Sequence, residues 1–215
     1  MAETQQATPP KVARKGAGAA GVLIMVMVAV SVLGAVFYAF TMVTGGYLLN
    51  AILGHWWLAP LTDVHEFTQA ELRPGATGDI LDLPLEFRVA AALPPIALAV
   101  TALIGGRLAI RLLGAIRAGD AFGVATVALW PKLAAVLLGG SAVYLVAAGA
   151  VFFPLHSAIV MNGPRPSWLE AYEVIGLSGF VDLPWIYILL GLLAGVLGMA
   201  FRQGAKLQDE VEGVV

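Results

Sequence analysis

Between Lys15 and Asp63 the chain carries no Asp, Glu, Lys or Arg. About 20 consecutive apolar residues already match the hydrocarbon thickness of a bilayer, so a charge-free run of this length places the chain in lipid. The first helix falls at about 17–43. Three more such runs, Val89–Gly106, Leu133–Phe153 and Leu183–Phe201, have 18, 21 and 19 residues, close to what about 30 Å of hydrocarbon requires at 1.5 Å per residue. The expected fold is therefore all-α and integral to a membrane, with four transmembrane helices at about 17–43, 89–106, 133–153 and 183–201. Composition agrees, with 60% hydrophobic and 12% charged residues, about half the charge of a soluble domain. A secretory signal peptide has an apolar region of only about 7–15 residues. The N-terminal run is longer, so it reads as an uncleaved anchor behind Lys11, Arg14 and Lys15.

Orientation follows from the basic residues, because cytoplasmic flanks retain Lys and Arg whereas acids have little influence. Nine of twelve fall on one side: Lys11, Arg14, Lys15, Arg107, Arg111, Arg117, Lys132, Arg202 and Lys206; Arg73, Arg88 and Arg165 lie opposite. Both termini are then cytoplasmic, as residues 1–16 and the tail 202–215, together with an inner loop 107–132. The outer loops, 44–88 and 154–182, carry most of the acids and the interfacial aromatics Tyr47, Trp56, Trp57 and Trp168. In the first outer loop Pro74-Gly75 and Thr77-Gly78-Asp79 signal turns, and the partial alternation of Ile80 to Phe87 predicts a half-buried strand. A small extracytoplasmic cap formed by the two outer loops is expected.

No Asp, Glu, Lys, Arg or His lies in any proposed membrane core. Ion-coupled transporters usually need such a charge there, and hydroxyls such as Ser31, Thr41, Thr101, Ser141 and Tyr144 usually bond back to the backbone or to a neighbouring helix. Gly139, Gly140, Gly191 and Gly195 are the helix-packing positions. They serve either packing within the chain or a homo-oligomer, since small residues let backbones approach where lipid gives no hydrophobic drive. With no cysteine there is no thiolate chemistry, and neither a nucleophile elbow nor a phosphate-binding Gly loop is present. No catalytic residue or cofactor is expected. The net charge of −2 gives no basis for direct nucleic-acid binding. The outer loops hold His55, Asp63, His65, Glu66 and His156, ligand types for a divalent ion, but their spacing matches no metal motif.

On the cytoplasmic side, Arg107, Arg111 and Arg117 among Leu108, Ile110, Leu112, Leu113 and Ile116 suggest a helix continuing into the interface with snorkelling arginines. Gly119 then ends it and Asp120 is the natural N-cap of the next helical segment. The segment Ile116, Gly119, Asp120, Ala121 and Phe122, followed by a span, resembles the bacterial membrane-protein family known as DUF2975, a domain of unknown function. The ending Phe201, Arg202, Gly204, Leu207, Asp209, Glu210 and Val215 is similar to that family's C-terminus, whereas Trp130-Pro131-Lys132 departs from its pattern. The resemblance implies a four-helix protein of the bacterial inner membrane without an established reaction, often encoded beside a small helix-turn-helix regulator. A cytosolic partner would then meet Arg117, Asp120, Phe122, Phe201, Arg202, Leu207, Asp209 and Glu210, with membrane lipid around the spans. The rival is a transporter or lipid-handling protein using a cavity between Gly-rich helices.

Overall fold

The computed structural model describes residues 11–48, 52–54, 57–64, 70–76, 78–160, 167, 170–174 and 183–212. Its long helices are α1 (Lys11–Thr44), α2 (Leu85–Arg117), α4 (Leu129–Val160) and α5 (Trp185–Glu212), with a one-turn α3 (Val124–Val127) and two short strands, β1 (Ala70–Leu72) and β2 (Tyr172–Val174). Four helical stretches are long and apolar enough to cross a membrane: Gly18–Thr44 in α1, Leu85–Arg117 as α2, Val124–Pro154 across α3 and α4, and Trp185–Gln208 in α5. They mark a multi-pass membrane protein. In hydrocarbon every backbone N–H and C=O must be paired, and apolar runs of about 20 residues, twice the length of a spanning strand, meet that need as helices whatever their β-branched content.

The helices outrun the charge-free stretches. α2 begins at Leu85 and runs past the charge-free stretch to Arg117, the continuation expected from Arg107, Arg111 and Arg117 with its end at Gly119. α5 continues past Phe201 to Glu212, and α4 starts at Leu129. A helix stops where its hydrogen-bond ladder is capped, and that need not coincide with the first charge. At α2 the stop is a Schellman motif: Gly119 has φ +83°, its N–H donates to Ile116 O (3.1 Å), and Asp120 N–H donates to Ala115 O (3.0 Å), as a left-handed C′ glycine allows. Asp120 is thereby held as the second residue beyond the helix and does not cap α3. The N-cap of α3 is Gly123, without a side-chain bond.

The chain forms two compact units, one of Met1–Val30, Thr101–Gly139 and Trp185–Val215, the other of Ser31–Val100 and Gly140–Pro184. The core of the first unit gathers Leu112, Leu133, Ala134, Leu137 and Ala194. Glycines set its helix spacing: a Cβ on Gly191 would stand 2.8 Å from Leu138 Cγ, and one on Gly106 would stand 2.6 Å from Val28 Cγ2. A Cβ on Gly195 would meet Ala134 at 3.9 Å, while Gly139 faces open space and Gly140, in the other unit, is half-buried. The Gly191/Gly195 pair therefore serves packing inside the chain, against α4.

The core of the second unit holds Met42, Leu61, Val64, Ile80, Leu83, Ala91, Ala92, Val151 and Tyr172. Loop residues here share one core with helix ends, which gives the loops between α1 and α2 and between α4 and α5 a folded cap. β1 pairs antiparallel with β2 in the register Ala70 to Val174, Glu71 to Glu173 and Leu72 to Tyr172. The strand expected in Ile80 to Phe87 is absent. Ile80–Asp82 is a 3-10 turn closed by a capping box, Asp79 Oδ1 accepting from Leu81 N–H (2.7 Å) and Asp82 Oδ2 from Asp79 N–H (3.0 Å). Pro84, with its preset φ and no N–H, then leads into α2, so two local devices override a weak alternation.

Gly45 ends α1 at φ +76°, where a side chain would also collide with Leu81. Arg88 explains one exception to the charge asymmetry: its Nη1 donates to Val43 O (2.9 Å) and its Nε to Leu83 O (3.1 Å). A cation at the α1 C-terminus also meets the negative end of the helix dipole. Thr41 and Thr44 bond back to Phe37 O and Phe40 O at 3.1 and 2.8 Å, as hydroxyls in apolar helices do.

Candidate functional site

In the first unit, an aromatic cluster joins the segment after α2 to the ends of α4 and α5. The Phe122 and Phe201 rings lie 5.4 Å apart at 46°, and Trp130 stacks on Phe201 at 5.3 Å and 10°. The pattern Gly198-x-x-Phe201-x-x-Gly204 puts a glycine one turn to either side of Phe201. A Cβ on Gly204 would stand 2.8 Å from Phe122 Cε1, and one on Gly198 would stand 2.9 Å from Trp130 Cβ. Both glycines are seats for rings, and aromatic pairs in such tilted and stacked arrangements add about 0.5–1.5 kcal/mol each beyond their burial. The Trp130 indole N–H is buried with no hydrogen-bond partner among the described residues, so the ring is held by packing.

Around this clasp the surface is mixed. Val124 is 90% exposed, Leu207 63% and Phe122 45%, while Arg117, Arg202, Lys206 and Glu210 are all exposed. The structure thus brings Phe122 and Phe201 together but half-buries Phe201, which locks the segment to α5. The Asp120 carboxylate lies against Gly123 and accepts a 3.4 Å bond from Thr126 Oγ1. The Arg117 guanidinium runs beside α1, with Nη2 3.5 Å from where a Gly18 Cβ would be. The side chain of Asp209 and all of Val215 lie outside the described residues. Val124 and Trp130 belong to this site although sequence reasoning passed over them; the glycine spacing about Phe201 was the signal.

In the second unit, Tyr47 donates its hydroxyl to Asp63 Oδ2. Burial, then the bond to Asp63 and its negative charge, push the Tyr47 phenol up to about 12. Tyr172 is only 1% exposed, and its hydroxyl has no partner among the described residues. Burial, followed by the charges of Asp82 and Asp79, raises it to about 12 as well. The ring lies against Gly78, where any Cβ would collide with the phenol. Both tyrosines are thus neutral struts of the cap.

Among the described residues no three His, Cys, Asp or Glu are placed to hold a metal ion. Of the weak metal candidates, Asp63 is engaged by Tyr47, while His55, His65, Glu66 and the side chain of His156 lie outside the described residues. On α4, Leu145, Val146, Gly149, Ala150, Phe153 and Pro154 line an apolar groove of about 550 Å³. No family model, no curated protein and no solved structure matches the chain.

Proposed function

We propose that this multi-pass membrane protein is a non-enzymatic regulatory or scaffolding component of a bacterial inner membrane, with both termini cytoplasmic, that binds a cytosolic protein beside the aromatic clasp. The observation that carries the reading is the juxtaposition of exposed Phe122, Val124 and Leu207 with exposed Arg117, Arg202 and Lys206 on elements fixed by packing. Apolar anchors ringed by charge, presented on a rigid base, are what a protein interface uses. The resemblance to DUF2975 in the same two stretches supports the reading and makes a small helix-turn-helix regulator the first partner to seek. The test is photo-crosslinking in native membranes from Phe122 and Leu207, with exposed Trp57 in the other unit as control. A cytosolic protein is expected at the first two positions only. Crosslinks to lipid or to the chain itself alone, together with an unchanged phenotype on deleting residues 206–215, would overturn the reading.

The apolar groove on α4 favours a second reading, lipid handling. It predicts a lipid retained through purification and lost on replacing Gly149 by Leu, which would fill the groove.

A further inference from the structure

The C-terminal part of α2 has two faces of opposite character. Gly105, Gly106 and Leu112 are buried, Gly105 against Leu137 and Gly106 against Val28. At about 100° per residue the opposite face is Leu103, Ile104, Arg107, Ile110, Arg111 and Gly114, and every one of these is exposed. The exposed stripe is apolar at Leu103 and Ile104, where the charge-free run ends at Gly106, then presents Arg107 and Arg111 one turn apart beside Ile110, then a glycine with nothing within 4 Å of a Cβ position. Side chains four apart on a helix face the same way, about 5–6 Å between Cβ atoms. Neither arginine has a carboxylate partner among the described residues, and the acids of this unit whose side chains are described, Asp120 and Glu210, belong to the loop after α2 and to α5.

We infer that Arg107 and Arg111 form a binding site for the headgroup of an anionic phospholipid, whose acyl chain lies along Leu103, Ile104 and Ile110. The inference rests on the membrane reading and is independent of the cytosolic partner. Lipid must cover the apolar part of this stripe in a bilayer, so the next group reached along the same face is the lipid's own phosphate. A guanidinium presents a fork of donors that matches phosphate oxygens, and two forks one turn apart surround one headgroup. Gly114 leaves room for it, because no side chain rises between Arg111 and the aqueous phase. The arginines begin where the charge-free run ends at Gly106 and continue the same exposed apolar stripe, which favours a phospholipid over an acidic protein surface.

The test uses the full-length protein purified from nanodiscs made of equimolar phosphatidylglycerol and phosphatidylcholine, with retained lipids counted by native mass spectrometry. Phosphatidylglycerol should be retained over phosphatidylcholine, and the doubly substituted R107Q/R111Q protein should lose that preference by about fivefold per arginine, as expected for basic groups at an anionic surface. Lys132→Gln and Arg202→Gln, exposed cations off the stripe, should keep it. Gly114→Glu supplies a second, fold-neutral variant. Its carboxylate enters open space one turn from Arg111 and should abolish the preference by pairing internally. Equal retention of the two lipids by the unaltered protein, or a preference that survives both R107Q/R111Q and Gly114→Glu, would overturn the inference. Loss of the preference in Lys132→Gln and Arg202→Gln alike would also overturn it, by showing that only net charge matters.

Discussion

The two cap tyrosines show how single residues titrate in this protein. Tyr47 and Tyr172 are both pushed up to about 12 from the ordinary 10.0. A phenol whose proton is held more tightly in the folded state contributes stability that is complete below about pH 10 and is lost as pH rises toward 12. Ultraviolet titration should therefore show tyrosines ionising near 12, with the cap loosening across the same interval. Asp63→Asn removes a negative charge and a full-strength acceptor from Tyr47, and its phenol should move back toward 10 while Tyr172 stays high. If Tyr47 stays near 12, burial alone holds its proton, and if both tyrosines fall together, the substitution has loosened the cap.

At the scale of the element, packing of the apolar helices depends on where a side chain is missing. Gly191 lies under Leu138 and Leu137 whereas Gly139 faces nothing. Gly191→Val should destabilise the first unit by about 1–3 kcal/mol through overpacking; Gly139→Val should be close to neutral. Thermal denaturation in detergent, followed by loss of helical circular dichroism, separates them. The sequence made both glycines look alike, as small residues in a span, because composition along one helix says nothing about which flank meets a neighbour. The cap is a second case. Turn signals at Pro74-Gly75 and near Gly78 were legible, but the strands proved to be Ala70–Leu72 and Tyr172–Val174. Three residues are too few for a period to show, and Glu71 opposite Glu173 is a pairing that no propensity favours.

For the whole molecule, the testable property is sidedness. The chain has no native cysteine, so a single introduced one reports its side of the membrane without background. In oriented membranes treated with an impermeant maleimide from outside, Trp57→Cys should label and Leu207→Cys should label only after the membrane is opened. Both positions are exposed, so poor labelling cannot be blamed on burial. The reverse pattern would place the termini outside and remove the cytosolic-partner proposal, while the lipid site, which needs only an anionic headgroup, would face the opposite leaflet.

The sequence alone determined four spans and their order, because run length against bilayer thickness is a local property and lipid leaves the backbone no alternative to helix. It also marked the end of α2 at Gly119, since a left-handed cap is written in one residue. Only the tertiary structure decided that Phe201 is the centre of a clasp, that Arg88 caps α1 across 45 positions of chain, and that Gly191 packs inside the molecule. Each of these depends on which residues meet from distant parts of the chain. In a sequence so uniformly apolar, hydrophobicity pulls every helix toward lipid with similar strength, and the choice of neighbour falls to shape.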